Sequence, residues 1–220
     1  RELAERVCLS LGLVNRNLQG LRQKGLLNED GTLTALEYVY INWYDGPKSE
    51  RYSDNQWEYY KSEQHFYLRT LDKDGKELSS VELDFDAENS WLDLYNAQID
   101  SEGNFVCTSE MTLLGFTPEG SQAFSIENND YMDTLLKLKD GRLAVTVWGS
   151  FGEELHIVDT EKGELGEAIK LPRNAYSFLT GGGECDLYYQ DGMNLYGFNL
   201  GDEEGTKLLN WINVDVNGNA

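Results

Sequence analysis

Four glycines, Gly75, Gly120, Gly163 and Gly205, recur at separations of 45, 43 and 42 residues. Each sits in an acidic turn between two apolar runs, as in His65-Phe66-Tyr67-Leu68-Arg69, then Asp72-Lys73-Asp74-Gly75, then 78–85. A second series is out of phase with the first: Asp100-Ser101-Glu102-Gly103, Lys139-Asp140-Gly141 and Gly183-Glu184-Cys185-Asp186, each leading into a further apolar run. The runs alternate and are rich in aromatic and β-branched residues, the pattern of short strands. A period of this length restricts the chain to folds in which one supersecondary unit is copied and each copy covers the apolar face of the next.

Two glycine turns and four short strands in every 40–45 residues describe a β-propeller blade. Blades are expected over 32–86, 90–128, 130–172 and 174–212, and a β-sandwich would leave the regular spacing without a cause. Asn213-Val214-Asp215-Val216-Asn217-Gly218-Asn219 then reads as the opening of a further turn. The expected fold class is all-β: a β-propeller with four visible blades, either a closed ring or part of a larger propeller, after a short N-terminal helical segment. The domains are placed at 1–29 and 31–220.

Residues 1–29 differ in kind. Leu3, Val7, Leu11, Val14, Leu18 and Leu21 follow the helical period. Ser10 is placed to cap a helix and Gly25 to end one. The formal charge of the chain is −21, yet residues 1–27 carry Arg1, Arg6, Arg16, Arg22 and Lys24 against Glu2 and Glu5. An acidic body repels phosphates, which excludes nucleic acid and anionic membrane as its partners. No apolar run is long enough for a transmembrane segment. There is no initiator Met and no signal-type segment, so the chain reads as a trimmed or mature fragment. The three cysteines, Cys8, Cys107 and Cys185, have neither zinc spacing nor C-x-x-C spacing, and no cofactor is expected.

Glu2-Leu3-Ala4-Glu5-Arg6, Leu9-Ser10 and Val14-Asn15-Arg16 through Leu18, Leu21 and Lys24-Gly25-Leu26-Leu27 are similar to the second and recognition helices of bacterial winged helix-turn-helix domains. That resemblance implies that Asn15, Arg16, Asn17 and Gln19 face bases and that Arg22 or Lys24 lies near phosphate. Nucleic acid is therefore a partner open to residues 1–29 and not to the body.

The body resembles propeller regions that precede an extracellular solute-binding domain in bacterial secreted lipoproteins. The phrases that carry this are Leu36-Glu37-Tyr38-Val39-Tyr40-Ile41-Asn42-Trp43, Asn174-Ala175-Tyr176 with Gly181-Gly182-Gly183, Asp186-Leu187-Tyr188-Tyr189, Leu195-Tyr196-Gly197, and Leu208-Leu209-Asn210-Trp211-Ile212. It implies a non-catalytic binding or scaffolding module of a cell-surface protein linked to solute uptake, extracellular or surface-anchored. The alternatives are a cytoplasmic regulator with a DNA-binding head and a propeller sensor, and a glycoside-acting enzyme.

The expected partner is a small molecule, a glycan or a protein. Its best candidate site is aromatic: Trp43, Tyr44, Trp57, Tyr59 and Tyr60 flank one long polar loop, where flat rings stack on ligand faces. The competing account of these rings is packing between blades. His65 and His156 lie beside apolar residues with no serine motif nearby, which suits structural roles. Asp72–Glu77 and Asn213–Gly218 match calcium loops only in part and make good hairpin turns, so no metal site is assigned.

Overall fold

The computed structural model describes residues 21–22, 26–52, 54, 56–85, 92–93, 97–149, 152–172, 175, 178–180, 184–192 and 194–210. Four antiparallel sheets follow one another along the chain, each made of strands adjacent in sequence. The first contains β1 (Leu33–Tyr44), β2 (Tyr60–Leu71) and β3 (Glu77–Glu82). The second contains β4 (Gln98–Ile99), β5 (Phe105–Ser109), β6 (Thr112–Phe116) and β7 (Gln122–Glu127). In the third, β8 (Met132–Lys137), β9 (Leu143–Gly149) and β10 (Gly152–Asp159) are completed by two short pieces on β10, β11 (Glu164–Leu165) and β12 (Ile169–Lys170). The fourth contains β13 (Phe178–Thr180), β14 (Leu187–Asp191), β15 (Asn194–Phe198) and β16 (Thr206–Asn210). Each sheet falls inside one expected repeat. Among the described residues no strand pairing joins the last sheet to the first.

Side-chain alternation explains how the sheets stack. Successive residues of a strand face opposite sides. Phe105 and Cys107 join Phe66 and Leu68 in a core between the first and second sheets. Val106, between them in sequence, joins Met132, Leu135 and Val145 in a core between the second and third. Leu136 and Ala144, the sequence neighbours of Leu135 and Val145, turn the other way and meet Leu155, Leu187 and Phe198 between the third and fourth. The inner sheets are thus buried on both faces, and Phe105–Ser109 and Leu143–Val147 are buried at every position, with Phe105-Val106-Cys107 and Leu143-Ala144-Val145 apolar throughout. Cys107 is fully buried, and burial, with Asp93 nearby, pushes its thiol well above the usual range.

Several of the glycine turns share one device, in which an aspartate oxygen accepts backbone N–H groups two to four residues on and a glycine takes positive φ; in the Gly120 turn the Thr117 hydroxyl oxygen accepts instead, from Glu119 N–H. Asp72 Oδ1 accepts from the N–H groups of Asp74 and Lys76, each at 2.9 Å, with Gly75 at φ 81. Asp100 Oδ1 accepts from Glu102 and Asn104, with Gly103 at φ 88. The first calcium-like segment is therefore a hairpin turn whose carboxylate is taken up by its own backbone. In the fourth sheet the left-handed residue is Gly201 (φ 99), a correction to the sequence series, which ended on Gly205. Gly205 is in the same loop but serves another purpose. A Cβ there would lie 2.5 Å from Tyr189 Oη, so the ring occupies the space that a side chain would need.

The first sheet departs from the others. The edge position held elsewhere by β4, β8 and β13 is taken, among the described residues, only by a stub at 26–28. Leu26 O accepts from Thr34 N–H at 2.7 Å, and the Asn28 N–H donates to Thr32 O at 2.9 Å. Asp30 accepts from Thr32 N–H while Gly31 takes φ 87, repeating the turn device. Leu26 packs on the first core, so the division placed at 29–31 falls within a turn whose leading stub belongs to this sheet's edge.

His65 ties β2 to β3. Its Nδ1 lies 2.6 Å from Glu82 Oε1 and its Nε2 3.5 Å from Glu63 Oε1. The hydrogen bond to Glu82 holds its pKa above the ordinary histidine value. A raised folded pKa means that the stabilisation is fully present below the unfolded value and is lost as pH rises through the folded one. His65→Gln is expected to be less stable than the wild type near pH 6 and to converge with it near pH 9, read from urea midpoints.

Candidate functional site

Strand length builds the most exposed feature. β1 and β2 pair over their full length, from Leu33 opposite Leu71 to Tyr44 opposite Tyr60. β3 accompanies β2 only from Leu71 back to Tyr67, with Leu83 N–H reaching Phe66 O at 2.8 Å. Beyond that point the hairpin continues as a two-stranded arm. Tyr40, Ile41, Trp43 and Tyr60 are exposed along it, on both faces, because adjacent β1 residues point opposite ways.

The five aromatic residues expected to form a site all lie at the arm tip. Tyr44 packs edge-on against Tyr59 (5.9 Å between centroids) and Tyr60 (5.4 Å), and Trp57 leans on Tyr60 at 5.7 Å. Trp43 faces the other side of the arm. Local chemistry fixes the tip: Asp45 N–H donates to Tyr59 O at 2.8 Å, and the Tyr44 hydroxyl donates to Pro47 O at 2.8 Å. Gly46 sits where a Cβ would strike the Tyr59 ring at 2.5 Å. Short 3-10 helices at Lys48–Glu50 and Gln56–Tyr59 carry the loop between, and Arg51 lies over the Tyr44 ring at 5.7 Å. Desolvation first, then Tyr59 and Glu50, raises the Tyr44 pKa. Tyr44 and Tyr59 are thus the internal plug of the tip. Trp57 (74% exposed) and Tyr52 (89%) are its free surface. None of the five is buried between sheets.

Further apolar side chains share this end. The link from the second sheet to the third closes over the β5–β6 turn. There the Asn128 N–H donates to Met111 O, the Met132 N–H to Glu110 O, and the Trp148 N–H to Tyr131 O. Met111, Tyr131 (50% exposed) and Trp148 (56%) stand out from these links. Glu110 is the one non-glycine residue with positive φ (53°) among the described residues. It lines a cavity of about 490 Å³ with Asp93, Thr108, Met111 and Tyr131. On β10, burial raises the pKa of the Glu153 carboxyl, Thr146 opposes that by hydrogen bonding, and Asp133 adds to it. Of the eleven large apolar side chains exposed among the described residues, only Leu78 and Leu208 lie elsewhere.

Tyr40, Tyr52, Tyr131 and Trp148 were not singled out from the sequence. Tyr40 had a usable signal, since it alternates with Tyr44 on one face of β1. Arg22 is helical in the structure, while Asn15, Arg16, Asn17 and Gln19 lie outside the described residues, as do Gly181–Gly183 and 213–219. Among the described residues, no three His, Cys, Asp or Glu side chains are placed to hold a metal ion, and no helix is long and apolar enough to cross a membrane. His156 Nδ1 lies 2.9 Å from Gly166 O, a contact from β10 to the residue that follows β11.

No known family model matches the chain, and no curated protein does. Solved structures similar to it include a Bacteroides caccae protein of unknown function, at 16% identity and TM-score 0.43 over 69% of this chain and 58% of the other. Virginiamycin B lyase from Staphylococcus aureus is similar at 17% identity and TM-score 0.47, over 66% of this chain and 51% of that one. The Neurospora crassa Pan2 WD40 domain is similar at 11% identity and TM-score 0.42, over 62% and 43%. The chain thus spans roughly half the length of the structures it resembles.

Proposed function

We propose that the four sheets are consecutive blades of a β-propeller and that the chain is a non-catalytic binding module that engages a protein partner through its aromatic end. The observation that carries this reading is the arm. Two strands run past their own sheet and hold aromatic rings in solvent on both faces. A two-stranded ribbon is marginal in water by itself, and apolar surface of this extent on a soluble domain marks a contact site. The tip combines Trp, Tyr and Arg, the side chains that dominate protein interfaces. It projects past the third strand with its rings exposed, which suits a macromolecular surface better than an enclosed small ligand. Blade-like stacking is supported by the alternation of Phe105, Val106 and Cys107, and of Leu135 and Leu136, between successive cores. A place at the bacterial cell surface, in solute uptake, rests on the resemblance of the body sequence.

The reading is tested by selecting binders to the intact chain from a displayed peptide library and measuring their affinity for variants. Trp57→Ala is expected to weaken the selected peptides by about 2 kcal/mol, roughly thirtyfold, while Leu78→Ala at the outer edge of the first sheet leaves them unchanged. Peptides that bind both variants as well as they bind the wild type would place the contact surface elsewhere.

A further inference from the structure

The arm has two long edges, and only one of them is protected. Thr34 N–H points away from β2, since it donates to Leu26 O. Alternation along an antiparallel strand therefore turns the N–H and C=O groups of Tyr40 and Asn42 to the same outer edge of β1. On the other side of the arm Leu83 N–H reaches Phe66 O, so Ser62 presents its groups to the outer edge of β2. Past the stub at 26–28 and past β3, neither edge has a strand partner among the described residues.

Side chains set the two edges apart. An open edge is blunted by charge, by proline or by shortness. The β2 edge has Lys61 and Glu63 on either side of Ser62, all three exposed. Between Glu37 and Asp45, by contrast, β1 has no charge, no proline and no glycine. Tyr40, Ile41, Asn42 and Trp43 are all exposed. A long unprotected edge of aromatic and β-branched residues is a template for another strand.

The segment is complementary to itself. In antiparallel pairing about a two-fold axis at Ile41, Tyr40 of each copy faces Asn42 of the other, and the two pairs exchange four backbone hydrogen bonds. Ile41 then lies opposite Ile41, and Trp43 opposite Val39, an aromatic and β-branched pair of the kind that stabilises sheets. No charged side chain enters the contact. β1 runs outward from the body, so this pairing leaves the two bodies at opposite ends of the joined arms, which limits repulsion between chains of charge −21. The tip rings Trp57 and Tyr52 are outside the paired segment.

We infer that the outer edge of β1 pairs with the same edge of a second copy of this chain, joining two arms into a four-stranded ribbon. The inference rests on the arm being a contact site and names a second copy as a partner of it.

Sedimentation equilibrium of the intact chain over a concentration series is the test. A reversible monomer–dimer equilibrium is expected, with a Kd on the order of tens of micromolar because the paired segment is smaller than a standard interface. Added salt is expected to tighten it by screening the two bodies. Asn42→Pro removes an N–H that β2 does not use and is expected to weaken the dimer at least about tenfold, while Ser62→Pro, at the residue paired with Asn42, leaves it unchanged. Ile41→Lys and Ile41→Glu each set like charges across the axis and are expected to be monomeric, and an equimolar mixture of the two is expected to dimerise again. Urea midpoints of each variant show that it is folded. A wild-type chain that stays monomeric throughout, or folded Ile41 variants that do not dimerise when mixed, would overturn the inference. If such a monomer still loses its library-selected peptides on Trp57→Ala, the arm remains a contact site and only the second copy is struck out as its partner.

Discussion

Phe116→Ala is expected to lower the free energy of unfolding by about 3–5 kcal/mol, seen as a large fall in the urea midpoint with little change in slope. Phe116 is fully buried in the core between the first and second sheets, edge-on to Phe85 at 6.2 Å. Phe85 in turn meets Phe66 of the first sheet at 5.8 Å. Truncation would remove the second-sheet end of this chain of rings and leave a cavity that the flanking strands cannot close, because β5 and β6 are buried on both faces. A loss of this size is a large part of the stability of an ordinary domain. Tyr52→Ala removes a comparable ring from 89% exposure and is expected to change stability by less than about 0.5 kcal/mol.

Gly120→Ala is the second large effect, and its comparison with Gly75→Ala isolates one contact. Both glycines hold the left-handed position of the same kind of turn, at φ 86 and 81. An alanine at either costs about 1–2 kcal/mol in backbone strain. At Gly75 nothing lies within 4 Å of the added carbon, and the cost ends there. At Gly120 that carbon would lie 2.5 Å from Glu82 O and 2.6 Å from Val81 Cγ1. Backbone has to move, and the Asp84–Gly120 bond that seals the sheets stretches with it. The total is expected to reach about 3–4 kcal/mol, since overpacking against a rigid neighbour adds a further 1–3 kcal/mol. Equal losses at the two positions would show that the sheets are not in contact there.

Much of this architecture was legible because it repeats. The period of the glycine turns located four sheets, and the uninterrupted apolar character of Phe105-Val106-Cys107 and Leu143-Ala144-Val145 belongs to strands covered on both sides. The choice between Gly201 and Gly205 was not legible, because both are glycines in one short acidic loop, and only the position of the Tyr189 ring separates their tasks. The strand stub at Leu26–Asn28 was hidden by the helical pattern before it, although Asp30-Gly31 repeats Asp140-Gly141 in type. The aromatic site was half legible. Trp43, Tyr44, Trp57, Tyr59 and Tyr60 cluster in sequence as they do in space. Whether those rings pack between sheets or stand in solvent depends on how far β3 follows β2, and nothing within Leu33–Tyr44 records the length of a neighbouring strand. Met111, Tyr131 and Trp148 come from three separate segments and meet only through the hydrogen bonds of the links between sheets.

The most direct test of the central claim, that the aromatic arm serves binding and not the core, is a triple change of Trp43, Trp57 and Tyr60 to serine, with unfolding and peptide binding measured on the same sample. Partial loss of ring packing at the tip is expected to cost less than about 2 kcal/mol of global stability, while library-selected peptides lose binding by at least about a hundredfold. A chain that unfolds on losing these three rings, or that keeps its peptides without them, would contradict the account.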